Sequence, residues 1–454
     1  MKRKDFIKTS SLLVTGGMVA PFISCQPSSH ETMTTEARKN WAGNYRYKAP
    51  NLHLPQTTEE VQALVKELDK QKALGSRHCF NNIADSPMNQ ISTQNLKGLV
   101  DLNSDNLTVT VESGVRYGDI CSELHEQGFA LHNLASLPHI TTAGACATGT
   151  HGSGDQNGNL ATAVNKLELV VADGSVMEVS KAQDPDLYAA AVVGLGAFGI
   201  VTKVTLDIQP TFDMRQDVYQ NLPLSAFTEH FEEIMSAGYS VSLFTDWMDQ
   251  KISQIWIKRR LDQEILNFGE EFFGARAATK NLHPITSLSA EPCTEQMGVP
   301  GPWWDRLPHF KMGFTPSSGE ELQSEYFVPR RHAIEAILAL EKKRDLIYPQ
   351  LQISELRFIA ADDFWMSPCY HQDSVAIHFT WKTNWPEVRK LLPMIEGELS
   401  PFNVKPHWGK LFTLKPQILQ SRYERYADFK ALASNYDPDG KFRNAFLDLN
   451  IYGD

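Results

Sequence analysis

Two spacings of apolar positions alternate along the chain, and they predict a run of mixed helices and strands. Val61, Leu64, Val65 and Leu68 recur at helical spacing and predict an amphipathic helix over 61–68. Residues 117–127 and 184–193 predict two more helices, the second ending at Gly194. Strands are predicted at 99–102, 108–112 and 167–171, and residues 196–204 read as a returning strand. Residues 170–179 predict a hairpin, with Asp173-Gly174 as its tight turn. From about residue 219 a second unit begins, with strands predicted at 240–246, 254–258, 323–328, 350–360 and 373–381. Helices at 332–343 and 385–399 fall between and after them, and a Pro/Gly/Trp-rich connection runs through Trp304. The fold class is α+β, with the second unit a sheet covered on one face by helices.

Side chains alternate across a sheet, so residues two apart share a face. Glu355 and Arg357 therefore emerge together, as do His378 and Thr380, and Gln323 and Glu325. Val375, Ile377, Phe379 and Trp381 face the other way. One sheet face thus carries Gln, Glu, Arg, His and Thr, and Lys410 in the loop Pro-His-Trp-Gly-Lys adds a cation. Taken singly, each has a plain structural role: a surface ion pair, a core histidine, a solvated lysine. Gathered on one face they predict a wall for a polyhydroxyl, carbohydrate-like ligand.

Two Gly-rich segments point to a larger anionic ligand. Gly75-Ser-Arg-His-Cys-Phe80 follows a short apolar run, and its small residues let backbone N–H groups close on a phosphate. About seventy residues on, 134–154 packs Gly144, Gly149, Gly152 and Gly154 among Ala, Ser and Thr. The glycines do not follow the strand–GxGxxG–helix order of a Rossmann unit.

The chain of 454 residues is long enough for two domains, and 42% hydrophobic content suits a globular protein. A net charge of −11, with no dense basic run past the first residues, argues against nucleic-acid binding. No internal segment approaches the ~20 apolar residues of a membrane span. Residues 1–26 read as an export signal: Lys2-Arg3-Lys4, an apolar stretch over 12–23, then Ser24-Cys25. Lys-Arg-Lys-Asp-Phe-Ile-Lys resembles a twin-arginine motif, and Cys25 is a candidate for a lipid anchor. The expected location is periplasmic or on the outer side of the cytoplasmic membrane, the alternative being cytoplasmic. A polar linker, 27–39, follows. The other five cysteines show no CxxC pair or Cys/His metal pattern and are expected to be buried free thiols, with no metal bound.

The stretches GSRHCFN, ASLPHITTAGACATGTHGSG, CTEQMGVPGPWW, ELQSEYFVPR, SELRFIAADDFWMSP, HFTW and PHWGKLF resemble the vanillyl-alcohol-oxidase type of flavoproteins. Within that type they are similar to the alditol oxidase and sugar-lactone oxidase branch, and the likeness runs from Asn40 to Asn444. It implies an FAD-binding domain over 40–213, a substrate-binding cap with an antiparallel sheet over 214–410, and a segment, 411–454, returning to the FAD domain. It implies FAD held covalently through His78. Arg77 and Cys79 stand where other members carry Gly and Ser. By the same likeness Ala73, Leu74, Gly75, Ser76, Arg77, Cys79, Ser136, Thr141, Gly144, Thr148, Gly149, Thr150, His151 and Ile200 contact FAD, with His407 near its ring. Ser136, Gln323, Glu355, Arg357, His378, Thr380 and Lys410 line a polyol site, with Arg357, Lys410, His378 and Glu355 as the catalytic set.

The implied reaction oxidises a terminal CH2OH of xylitol or sorbitol to an aldose and reduces dioxygen to hydrogen peroxide, in a monomer. An aldono-1,4-lactone oxidase, a polyol dehydrogenase with another electron acceptor, and an exported sugar-binding protein without redox chemistry stay open as alternatives.

Overall fold

The helix predicted at 61–68 forms as Thr58–Glu67 (α1), earlier at its start because Thr57 caps it. The Thr57 hydroxyl accepts the Glu60 N–H at 3.2 Å, satisfying one of the free donors of the first turn. Its buried face, Val61, Leu64 and Val65, packs with Ile91, Ile200 and Phe442. The structure is a computed structural model, and it describes residues 38–264 and 268–453. The expected export signal, Cys25 and all but the end of the linker lie outside those residues.

Three short strands, β1 (Asn51–His53), β2 (Gln71–Leu74) and β3 (Asn89–Ser92), pair in parallel in the order β1-β3-β2. Beside them an antiparallel sheet forms from β4 (Leu99–Asn103), β5 (Thr108–Glu112), β6 (Val164–Val170), β7 (Val176–Ser180) and β8 (Ile200–Asp207). The β6–β7 hairpin is the one predicted, with Val170 opposite Val176 and Gly174 at φ 81° in its turn. That conformation suits a residue without Cβ. Helix Pro185–Ala191 starts where Asp184 accepts the Leu187 N–H at 3.0 Å.

The second half builds a ten-stranded sheet. Its long strands are β9 (Asp213–Pro223), β10 (Ser240–Thr245), β11 (Lys251–Arg260), β12 (Leu322–Pro329), β13 (Leu351–Ile359) and β14 (Ser374–Trp381). They lie in the order β9-β11-β10-β13-β14-β12, every pairing antiparallel. Val375, Ile377, Phe379 and Trp381 do face one side, packed with Tyr326, Val328, Leu356 and Phe358. Helices Ala333–Glu341 and Trp385–Leu399 contribute Ile337, Leu340, Val388 and Leu392 to that core. The opposite face holds the polar residues. Strands with nearly every residue buried, such as β14, are possible only because both faces are covered.

The last forty residues cross back to the first sheet. Gln71 N–H donates to the Lys441 carbonyl at 2.8 Å, and Lys441 Nζ donates to the Val65 carbonyl at 2.7 Å. Asn444 Nδ2 donates to the carbonyls of Ile83 and Asp85 at 2.9 and 2.7 Å. Cys79, Cys121, Cys146, Cys293 and Cys369 are free thiols, all but Cys79 buried, so no covalent link assists this closure among the described residues. Replacing Asn444 by Ala strands buried carbonyls and should lower stability by about 1–3 kcal/mol. Denaturant unfolding measures it; a midpoint equal to that of the parent protein would show the closure to be idle.

Candidate active site

The loop after β2 is a row of backbone donors. None of the N–H groups of Gly75, Ser76, Arg77, His78 and Cys79 donates to another described residue. Such a run forms a nest for an anion. Arg77 sits at φ 64°, a left-handed conformation that costs a residue with a Cβ about 1–2 kcal/mol. A glycine there would adopt it freely. The Gly-rich segment closes on this loop. Ser76 Oγ accepts the Thr141 N–H at 3.2 Å, and a Cβ on Gly75 or Gly144 would come within 2.8 Å of Thr141 Oγ1. His78 stacks on Trp41 with ring centroids 5.3 Å apart. Its Nδ1 meets Ser76 Oγ at 3.1 Å, while Nε2 is buried without a partner. Burial, reinforced by His139 and Lys410, holds the imidazole neutral, with its pKa lowered to about 3.

Across the cavity stands the polar sheet face, in the predicted register. Glu325 on β12 lies opposite His378 on β14, and His378 opposite Glu355 on β13. Gln323 likewise lies opposite Thr380. Arg357 reaches over this row: it donates to Glu325 Oε1 at 2.8 Å and to Ser136 Oγ at 3.1 Å, and its Nε is 3.5 Å from Glu355 Oε1. Lys410 donates to Gln323 Oε1 and lies over the Phe80 ring. The cavity runs from the Gly75–Cys79 loop to the sheet, with His78 on one wall and Glu325, Glu355, Arg357 and His378 on the other.

Charge is sorted within this wall. Burial alone would raise Glu325, but His151 and Arg357 outweigh it and hold the carboxyl well below its ordinary value. Glu355 follows the same logic, with the Arg357 cation and the hydrogen bond from His309 outweighing burial. Both ring nitrogens of His151 face acceptors, the Gly152 carbonyl at 2.8 Å and Glu325 Oε1 at 3.2 Å. Burial pushes His378 and His407 each down to about 3. The Gly409 N–H donates to His407 Nδ1 at 3.0 Å, so its proton sits on Nε2.

All the expected substrate-wall residues, Ser136, Gln323, Glu355, Arg357, His378, Thr380 and Lys410, line the cavity. Ala73 to Cys79, Thr141, Gly144, Thr148, Thr150, His151 and His407 line it too. Two expected cofactor contacts do not. Ile200 turns into the cluster under α1, because on β8 it points opposite to its neighbour Val201, which faces the cavity with Gly199. Gly149, at φ 64°, forms the left-handed turn after helix Thr142–Ala147 and abuts Pro368 and Val193. Sequence reasoning left Glu325 as a wall residue without a role and missed Trp41, Lys258 and His309. His309 comes from the Pro/Gly/Trp-rich connection, which folds onto the Gly-rich loop: the His309 N–H donates to the Ser136 carbonyl at 2.8 Å.

Residues 50–180 match the family model "FAD binding domain", and residues 318–450 match "D-arabinono-1,4-lactone oxidase". Among solved structures, cholesterol oxidase from B. sterolicum shares the fold at a TM-score of 0.74 and 15% identity, over 95% of this chain and 100% of that one. The buried donor nest and the unpartnered His78 nitrogen fit FAD. The protein is thus an FAD-dependent oxidoreductase with the vanillyl-alcohol-oxidase and cholesterol-oxidase type of fold. Alditol oxidase from Streptomyces sp. (strain IKD472 / FERM P-14339) is 46% identical over 411 residues, 90% of this chain and 97% of that protein. L-gulono-1,4-lactone dehydrogenase from Mycobacterium tuberculosis (strain ATCC 25618 / H37Rv) is more distant, at 28% over 90% of this chain and 97% of its own. The chain belongs to the alditol oxidase family.

The two depressed carboxylates make the site a sensor of acid. Each stabilises the fold above the ordinary carboxyl pKa of ~4.3 and loses that contribution as pH falls from there through its folded value. Replacing Arg357 by Met raises both folded values, so less stability is gained at neutral pH and acid unfolding begins at higher pH. Circular dichroism across an acid titration checks the shift; an unmoved transition would mean the guanidinium is not what holds them ionised.

Proposed function

We propose that the protein is an FAD-dependent oxidase of alditols such as xylitol and sorbitol. It oxidises the terminal CH2OH to the aldehyde of an aldose and reduces dioxygen to hydrogen peroxide, with FAD bonded covalently to His78. The observation that carries this reading is one cavity with the unpartnered, neutral His78 on one wall and the Arg357–Glu325–Glu355–His378 cluster on the other. When bound, FAD supplies the acceptor for the substrate's hydride and the route by which its electron pair reaches dioxygen.

The chain's own residues bind, orient and deprotonate. Arg357 and Lys410 donate to the oxygen of the reacting hydroxyl, favouring the alkoxide that develops as its proton leaves. His378, kept neutral by burial, takes that proton. Glu355, held as a carboxylate, accepts from a neighbouring hydroxyl, and Ser136, Gln323 and Thr380 hold others. Several such bonds fix which carbon faces the cofactor. A lactone has fewer hydroxyls to hold and a carbonyl that accepts, so a wall with two ionised carboxylates suits an open-chain polyol better. The match of residues 318–450 to the lactone oxidase model keeps the 1,4-lactones as the second substrate class to assay.

Oxygen uptake with xylitol and sorbitol should exceed uptake with an aldono-1,4-lactone; the reverse order would assign the site to lactones. Anaerobic reduction by xylitol without aerobic uptake would make the protein a dehydrogenase. Mass spectrometry of the peptide carrying His78 should find added flavin mass, absent in His78→Ala. Arg357→Ala should slow flavin reduction by xylitol about 10²–10³-fold, the cost of losing one preorganised donor, while the absorbance of the bound flavin persists.

A further inference from the structure

Lys258 is fully buried in β11, and no carboxylate lies within 4.0 Å of its ammonium among the described residues. Its three donors go to the Leu307 carbonyl, the Pro308 carbonyl at 3.1 Å and His309 Nδ1 at 3.0 Å. An ammonium cannot accept a hydrogen bond, so the His309 nitrogen facing it carries a lone pair and the ring proton sits on Nε2. That Nε2–H donates to Glu355 Oε1 at 2.8 Å. The ring is held edge-on between Phe244 and Trp256, with centroids 5.5 and 5.1 Å away. Glu355 Oε2 makes no hydrogen bond and is not among the buried atoms lacking partners, so it is open to the cavity that Glu355 lines.

We propose that Lys258 and His309 are positioning residues, a buried brace that fixes Glu355 as a carboxylate with Oε2 presented to a substrate hydroxyl. Burying an ammonium costs several kcal/mol unless its partners repay it, and an apolar residue would serve packing alone better at this depth. Burial brings the Lys258 ammonium down to about 7, so the brace holds on the acid side of that pH, where Lys258 is the cation. The brace works through one fixed tautomer. With the opposite tautomer, a lone pair of His309 would face the Glu355 carboxylate and push it away.

This inference rests on the polyol-oxidising reading for its kinetic effect, not for its geometry. The groups around Glu355 are Arg357 on its own strand, His378 and beyond it Glu325 on β14 and β12, Lys410 from the loop, and His309 and Lys258 behind it. Losing the brace leaves Glu355 easier to protonate, so the acid limb of kcat/KM moves to higher pH. In the FAD-loaded enzyme, Lys258→Met and His309→Leu should raise the KM for xylitol about tenfold, the loss of roughly one charge-assisted hydrogen bond. The flavin absorbance should not change. His309→Gln keeps an acceptor for Lys258 and a donor for Glu355, and should restore KM to within about threefold of the parent. Equal KM values for His309→Leu and His309→Gln, or an unmoved acid limb in Lys258→Met, would overturn the proposal.

Nitrogen-15 spectra of the histidine-labelled parent protein, with His309 assigned by its loss in His309→Gln, give a readout free of turnover. They should show Nδ1 bare and Nε2 protonated; a proton on Nδ1 would overturn the brace even if every variant misfolded. A parent enzyme that ignores polyols but shows this tautomer would sink the polyol reading alone.

Discussion

The site depends on one guanidinium placed between two buried carboxylates. Arg357 sits within 3.5 Å of both Glu325 and Glu355, on the two strands flanking β14, which would otherwise bring two like charges onto one row of the sheet. Removing one partner of such a buried group costs about 3–5 kcal/mol, because the charge left behind has no solvent to turn to. The sheet therefore tolerates this polar row only with the arginine in place. Arg357 also donates to Ser136, so the cation that makes the wall stable ties it to the Gly-rich loop across the cavity.

That coupling explains why the halves of the molecule cannot be read separately. The cofactor loop offers donors and an imidazole but nothing able to bind a hydroxylated chain. The sheet offers carboxylates and cations but no redox group. The connection from Cys293 to Phe310 pairs with itself through the bridge between those two residues and docks on Ser136 through the His309 N–H. The returning C-terminal segment, through Lys441 and Asn444, closes the first unit. The His309–Ser136 contact brings a distant part of the chain to the polar wall, where low dielectric strengthens every charge interaction.

How much of this was legible follows from physical period. Strand alternation alone put Glu355 with Arg357, His378 with Thr380 and Gln323 with Glu325, because a pleat has no other way to arrange them. The apolar sides of those strands left no ambiguity about which face was which. Ile200 and Gly149 fall outside the cavity lining because pleat direction and turn geometry, not residue type, decide which way such positions turn. Lys258 was hidden in Ile-Lys-Arg-Arg at the end of a strand, which reads as solvated surface. His309 lay in a connection with no period, where only tertiary contacts reveal a role. The left-handed φ of Arg77 was equally silent, though its place beside a histidine in a small-residue loop was not.

The histidines show why composition could not assign protonation. His78, His378 and His407 are held neutral chiefly by burial and lie near cations, whereas His151 faces a carboxylate and a carbonyl. Among the imidazoles lining the cavity, these three keep lone pairs to offer, while both nitrogens of His151 are turned to acceptors. The proposed tether to the cofactor, the proposed acceptor for a substrate proton and the neighbour of Glu325 are different tasks, and desolvation against local charge is what separates them. The side chain is the same each time; the strand or loop that carries it sets which of these tasks it suits.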